Sequence, residues 1–177
     1  MKNESLCLAI AFASVVAVAP FSYGANLVDI NVVGDVSGHL ACVKGRPFLL
    51  TSKGDGADDT WEMSTGGSNS KGIRVNVKDG SRLLSFDLSE DKNDVSLAEV
   101  AGDNTKWYVT RIGPGDGEGP FVIRAARSAI QGWYLDFDEK HEAKIDTGDG
   151  KTIVGYPLIL RNKTSRVVKF NIGEYSR

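Results

Sequence analysis

Ile73-Arg74-Val75-Asn76-Val77-Lys78-Asp79-Gly80-Ser81-Arg82-Leu83-Leu84-Ser85-Phe86-Asp87-Leu88 is the stretch that decides the fold class. Ile73, Val75 and Val77 alternate with Arg74, Asn76 and Lys78, and after Asp79-Gly80 the pattern resumes at Leu84, Phe86 and Leu88. Alternation at period two places one apolar face on a strand. An Asp-Gly pair reaches the positive φ angles of a tight reversal, so the segment predicts a β-hairpin. Outward from it, no segment after residue 24 keeps a helical apolar period over a dozen residues, and the chain is expected to be all-β.

Three segments share an order of landmarks. Ile30, Val75 and Ile123 begin them, and second strands centre on Leu40, Leu84 and Leu135. Third strands hold Phe48-Leu49-Leu50, Ser96-Leu97-Ala98 and Pro157-Leu158-Ile159. Fourth strands carry an aromatic residue followed by an aliphatic: Trp61 with Met63, Trp107 with Val109, Phe170 with Ile172. The starts lie roughly 45 and 48 residues apart, a period that suits one four-stranded unit. Three such units predict a β-trefoil with pseudo-threefold symmetry, and a β-sandwich is the alternative. Trp61, Trp107 and Phe170 are its expected core layer. Residues 139–155 lengthen the third unit and read as a surface excursion.

With 177 residues, the chain is one domain's length, and 41% hydrophobic with 25% charged residues is a globular balance. A net charge of −2 gives no sign of a nucleic-acid partner. Lys2, the apolar run Leu6–Ala19, Pro20 and Ser22-Tyr23-Gly24 have the three-part build of a secretory signal. Residues 1–24 are therefore expected to be removed, leaving a single secreted, extracellular domain over 25–177. The apolar run is shorter than the roughly 20 residues of a membrane span. With Cys7 gone, Cys42 would be the remaining cysteine; its place on one strand face with Leu40 predicts a buried core thiol, and a bridge between chains or a reactive thiol is the alternative.

Catalytic patterns are missing. There are two histidines, His39 and His141, and no nucleophile elbow, zinc motif or cofactor motif. Asp55, Asp58 and Asp59, like Asp146 and Asp149, read as acidic turns rather than a calcium loop. The chain is expected to be a monomeric binding protein, with no enzymatic activity, metal or cofactor. Trp133-Tyr134 sit adjacent on a strand and must point to opposite faces, so one is expected outward. With Asp136 and Asp138 on one exposed face, they form a candidate sugar site, because indoles stack on sugar rings and carboxylates accept hydroxyl hydrogen bonds.

The last repeat, with Phe121-Val122-Ile123, Gly132-Trp133-Tyr134-Leu135, Pro157-Leu158-Ile159-Leu160 and Phe170-Asn171-Ile172, resembles the closing unit of small mushroom-type β-trefoil serine protease inhibitors. More distantly the chain resembles ricin-B-like lectins. In those lectins a Gln-x-Trp triplet ends each unit; here the triplets are Asp59-Thr60-Trp61, Thr105-Lys106-Trp107 and Val168-Lys169-Phe170. The inhibitor resemblance implies a loop inserted into a serine or cysteine protease. The matching loop is Lys44-Gly45-Arg46-Pro47, with basic tips at Lys71, Lys163 and Arg166 as rivals. Protease inhibition is thus the first expectation. The alternative is a carbohydrate-binding lectin or host-interaction module, with a glycan or cell-surface protein as partner. Asn162-Lys163-Thr164 is also an N-glycosylation sequon.

Overall fold

The computed structural model describes residues 25–51, 57–69, 72–89, 92–113, 120–127, 132–146, 150–162 and 167–174. The expected signal segment 1–24 and the rival positions Lys71, Lys163 and Arg166 lie outside the described residues. The fold is all-β. Its strands are β1 (Ala25–Val33), β2 (Gly38–Val43), β3 (Arg46–Leu50), β4 (Trp61–Asn69), β5 (Gly72–Asp79), β6 (Arg82–Ser89) and β7 (Lys92–Ala98). There follow β8 (Trp107–Arg111), β9 (Phe121–Ala125), β10 (Trp133–Phe137), β11 (Ala143–Asp146), β12 (Thr152–Asn162) and β13 (Lys169–Glu174).

Antiparallel pairing joins all of them into one closed sheet. A circuit of ten strands runs β12-β3-β2-β1-β13-β9-β8-β5-β6-β7 and returns to β12. A shorter ring of six, β1-β4-β5-β8-β9-β13, closes within it. Closure leaves these strands without free edges, which removes a template for aggregation. The hairpins β2–β3, β6–β7 and β10–β12 meet where β12 pairs with both β3 and β7.

One register recurs three times. Val28 faces Trp61, Val75 faces Trp107, and Phe121 faces Phe170. Three residues on, Asn31, Lys78 and Arg124 face His39, Leu83 and Tyr134. The next residues, Leu40, Leu84 and Leu135, are completely buried and face Leu49, Leu97 and Leu160. By this register the counterpart of Ile30 and Ile123 is Val77, not Val75. The two valines share one inward face, so a slip of two residues leaves the alternation unchanged and is invisible in the sequence.

Trp61, Trp107 and Phe170 lie in one core cluster, essentially without exposure. A buried indole N–H needs an acceptor. Trp61 Nε1 donates to the Leu40 carbonyl and Trp107 Nε1 to the Leu84 carbonyl, each at 2.9 Å, so the same kind of bond ties β4 to β2 and β8 to β6.

Two local expectations change. The reversal after β5 has Gly80 and Ser81 at its centre, with Gly80 at φ 57°, because Asp79 faces Arg82 and holds its guanidinium at 2.9 Å. Within residues 139–155, β11 pairs with β12 from Ala143 opposite Gly155 to Asp146 opposite Thr152, so the excursion carries a strand of the sheet. Its Ile153 packs with Ala41, Val43 and Leu50 in a second apolar cluster. Cys42 is buried as expected. Desolvation, with Asp79 adding to it, pushes the thiol pKa up to about 12.

Candidate functional site

A cavity of about 580 Å³ opens beside the β10–β12 hairpin. The chain reaches it through Gly132, whose φ of 112° is open to glycine and costly for other residues. Trp133 follows, opposite Asn162 at the end of the β10–β12 ladder. The indole is half-buried, with part of its surface on the core cluster and part on the cavity wall.

At the other end of β10 the chain turns through Asp138, Glu139, Lys140 and His141. The Asp138 backbone N–H donates to the Pro157 carbonyl at 2.9 Å, anchoring the turn on β12. The Asp138 carboxylate then holds the turn from within. Oδ1 accepts the Lys140 N–H at 3.1 Å, and Oδ2 lies 2.5 Å from His141 Nδ1. The His141 hydrogen bond and the Lys140 N–H favour the ionised form, and Asp138 sits below the usual carboxylate range. An acceptor fixed in this way loses little freedom when a ligand arrives. Asn93 enters from β7, where its Nδ2 donates to the Leu160 carbonyl at 2.9 Å. Arg161 and Asn162 complete the wall from β12.

Of the four residues expected at a sugar site, the fold brings Trp133 and Asp138 to this cavity. Asp136 was expected on an exposed face beside Asp138. It is instead buried, with 2% exposure, because its Oδ2 pairs with Arg161 Nε at 2.6 Å and its Oδ1 accepts the Phe137 N–H. Tyr134 is half-buried on the opposite face of β10 from Trp133 and does not line the cavity. Sequence reading missed Asn93, Arg161, Asn162 and His141 as wall residues. A signal for His141 is present in the Asp-x-x-His spacing of a turn; Asn93 comes from a distant strand and has none.

The segment expected to project as a loop, Lys44 to Pro47, is a two-residue reversal. Val43 faces Arg46, and Lys44 and Gly45 take φ angles of 48° and 79° at its centre. Pro47 is buried opposite Cys42. Gly45 suits the reversal because its φ of 79° is one that residues with a Cβ rarely adopt. Among the described residues no group of three or more His, Cys, Asp or Glu is placed to hold a metal ion, and no helix is long and apolar enough to cross a membrane.

No family model matches the sequence, and no curated protein matches it. Solved structures do. SeviL bound to asialo-GM1 saccharide is similar over 86% of this chain and 100% of its own, with 13% identity and a TM-score of 0.58. A hydrophobic cavity mutant of chicken IL-1 is similar over 84% of this chain and 95% of its own, with 12% identity and a TM-score of 0.56. A protein O-mannosyltransferase complex of S. cerevisiae bound to the sugar donor is similar over 88% of this chain, with 15% identity and a TM-score of 0.56. This chain spans only 25% of that one. At these identities the likeness is one of fold: the chain shares an all-β architecture with proteins of several activities.

Proposed function

We propose that this protein is a secreted β-trefoil that binds a carbohydrate in the cavity beside Trp133. The trefoil reading is supported by the ring of six strands, the three hairpins meeting at β12, and the register that recurs at Trp61, Trp107 and Phe170. The observation that carries the binding reading is the company on one cavity wall: a half-buried indole, a fixed carboxylate, an imidazole and two carboxamides. Its volume lies within the range of sites that enclose a small ligand. The indole offers an apolar face to the C–H face of a pyranose ring. Asp138 accepts from sugar hydroxyls, and charge strengthens those bonds. Asn93 and Asn162 both donate and accept, as hydroxyl pairs require. That SeviL was solved with a saccharide adds support from the fold.

The protease-inhibitor reading has less behind it. A substrate-like segment enters a protease cleft in an extended conformation, and Lys44 at φ 48° lies outside the extended region.

A glycan array with the protein lacking residues 1–24 tests the proposal. Binding of one saccharide class is expected, weakened by about tenfold or more in Trp133→Ala, since an aromatic anchor contributes on the order of 1–2 kcal/mol. Glycan binding that survives both Trp133→Ala and Asp138→Asn would place the site elsewhere. A blank array together with micromolar inhibition of a trypsin-like protease, lost in Lys44→Glu, would restore the inhibitor reading.

A further inference from the structure

Asn162-Lys163-Thr164 is the one Asn-x-Ser/Thr triplet in residues 25–177, and its asparagine stands on the wall of the Trp133 cavity. Asn162 ends β12 and is exposed. In the β10–β12 ladder it lies directly opposite Trp133. Residues opposed in this way keep their Cβ atoms about 4.5–5.5 Å apart on one face of the sheet. Beside them Gly132 leaves an open shelf. Among the described residues, its chain neighbours aside, a Cβ built there would meet only Asn162 Oδ1 within 4 Å, at 3.9 Å. Of the three tryptophans, Trp61 and Trp107 are completely buried, and Trp133 turns part of its indole to the cavity.

We propose, resting on the reading of a secreted sugar-binding protein, that Asn162 is an N-glycosylation site whose first sugar lies in the cavity against the Trp133 indole and closes it to free saccharides. The transferase of the secretory route reads the Asn-x-Thr triplet in the unfolded chain. Asn162 Nδ2 bonds to C1 of an N-acetylglucosamine carried on a lipid diphosphate. The bond from C1 to the diphosphate oxygen breaks, the lipid diphosphate leaves, and the amide gives up one proton to it. Folding then decides where the sugar lies. From Nδ2 the ring starts within a side chain's reach of the indole, and its C–H face suits that apolar surface. The tether supplies an effective concentration on the order of millimolar, so a sugar that binds poorly when free is held once attached. A ring resting on the indole leaves no apolar face for a second. A glycan pointing into solvent, by contrast, leaves the indole as open as it is in the bare chain.

Expression of the full chain, residues 1–177, in cultured mammalian cells that make high-mannose glycans tests this. Peptide mass spectrometry is expected to find the glycan on Asn162 and none in Thr164→Ala. Acrylamide quenching of tryptophan fluorescence then reads Trp133, because Trp61 and Trp107 are completely buried. After endoglycosidase H has trimmed the glycan to one N-acetylglucosamine, quenching is expected to be at least about twofold weaker than in Thr164→Ala, since the sugar covers the ring's open face. Release of the whole glycan by peptide-N-glycosidase, which leaves an aspartate at position 162, is expected to restore quenching. That comparison also decides the matter if Thr164→Ala fails to fold. A secreted chain without sugar on Asn162, or a trimmed form quenched as strongly as the bare one, overturns the proposal. A chain that never enters the secretory route overturns it together with the reading of export. Binding of free saccharides is tested apart, with unglycosylated residues 25–177 made in bacteria. A blank glycan array there, beside a shielded indole in the trimmed form, refutes that reading and leaves the glycosylation site standing. Array binding that the trimmed form loses supports both, and array binding that the trimmed form keeps unchanged refutes the closure.

Discussion

Replacing Trp107 by Phe removes one feature from the core, the indole N–H bonded to the Leu84 carbonyl at 2.9 Å. The site is completely buried, so no water replaces the lost donor. Losing a buried hydrogen bond costs about 1–3 kcal/mol, and the smaller ring adds a cavity term of the same order as one or two methylenes. The edge-on contact with Phe86, with centroids 5.0 Å apart and rings at 78°, survives with a six-membered ring in place. The expected cost is therefore about 2–4 kcal/mol, against about 3–5 kcal/mol or more for Trp107→Ala, which also forfeits the Phe86 contact. For a chain of this size each kcal/mol lowers Tm by about 2–4 °C. Urea unfolding followed by far-ultraviolet circular dichroism measures the difference directly. Trp61→Phe is the internal replicate, because its Nε1 makes the same bond to Leu40 at the same distance. The two variants are expected to agree to within about 1 kcal/mol. A cost below about 0.5 kcal/mol for Trp107→Phe, with Trp61→Phe clearly destabilised, would refute the idea that the two indole bonds are equivalent.

Two further outcomes follow from ionisable groups. Asp138 is held below the ordinary carboxylate range by His141, so its contribution to stability is fully present above about pH 4 and is lost as pH falls through the depressed folded value. Thermal melts of wild type and Asp138→Asn are expected to differ at neutral pH and to converge toward pH 2; a difference independent of pH would contradict this. The Cys42 thiol, buried and pushed up to about 12, is expected to react with an aromatic disulfide at pH 8 at least about 100-fold more slowly in the native protein than in guanidinium. Rapid labelling of the native protein would show the thiol to be accessible.

Period-two alternation at Ile73–Val77 and Leu84–Leu88, and the recurrence of Trp61, Trp107 and Phe170, were legible in the chain itself. They mark strands and core because side-chain direction and hydrophobic burial are local properties of the sequence. The counterpart of Ile30 was not legible, since Val75 and Val77 face the same way and only the pairing with β8 separates them. Neither was the reversal at Lys44-Gly45, where pairing of Val43 with Arg46 leaves two residues to turn the chain. In the candidate site, Trp133 and Asp138 were readable as an aromatic and a carboxylate close in sequence, and alternation alone placed Asp136 with Asp138 in solvent. Tertiary structure put Arg161 across the ladder, where its charge makes burial of Asp136 tolerable. It also brought Asn93 from β7 to the cavity and set Asn162 opposite Trp133. A single chain segment specifies which face a residue takes. Which strand lies next to it depends on closing the sheet, a long-range event whose register the alternation leaves free by multiples of two residues.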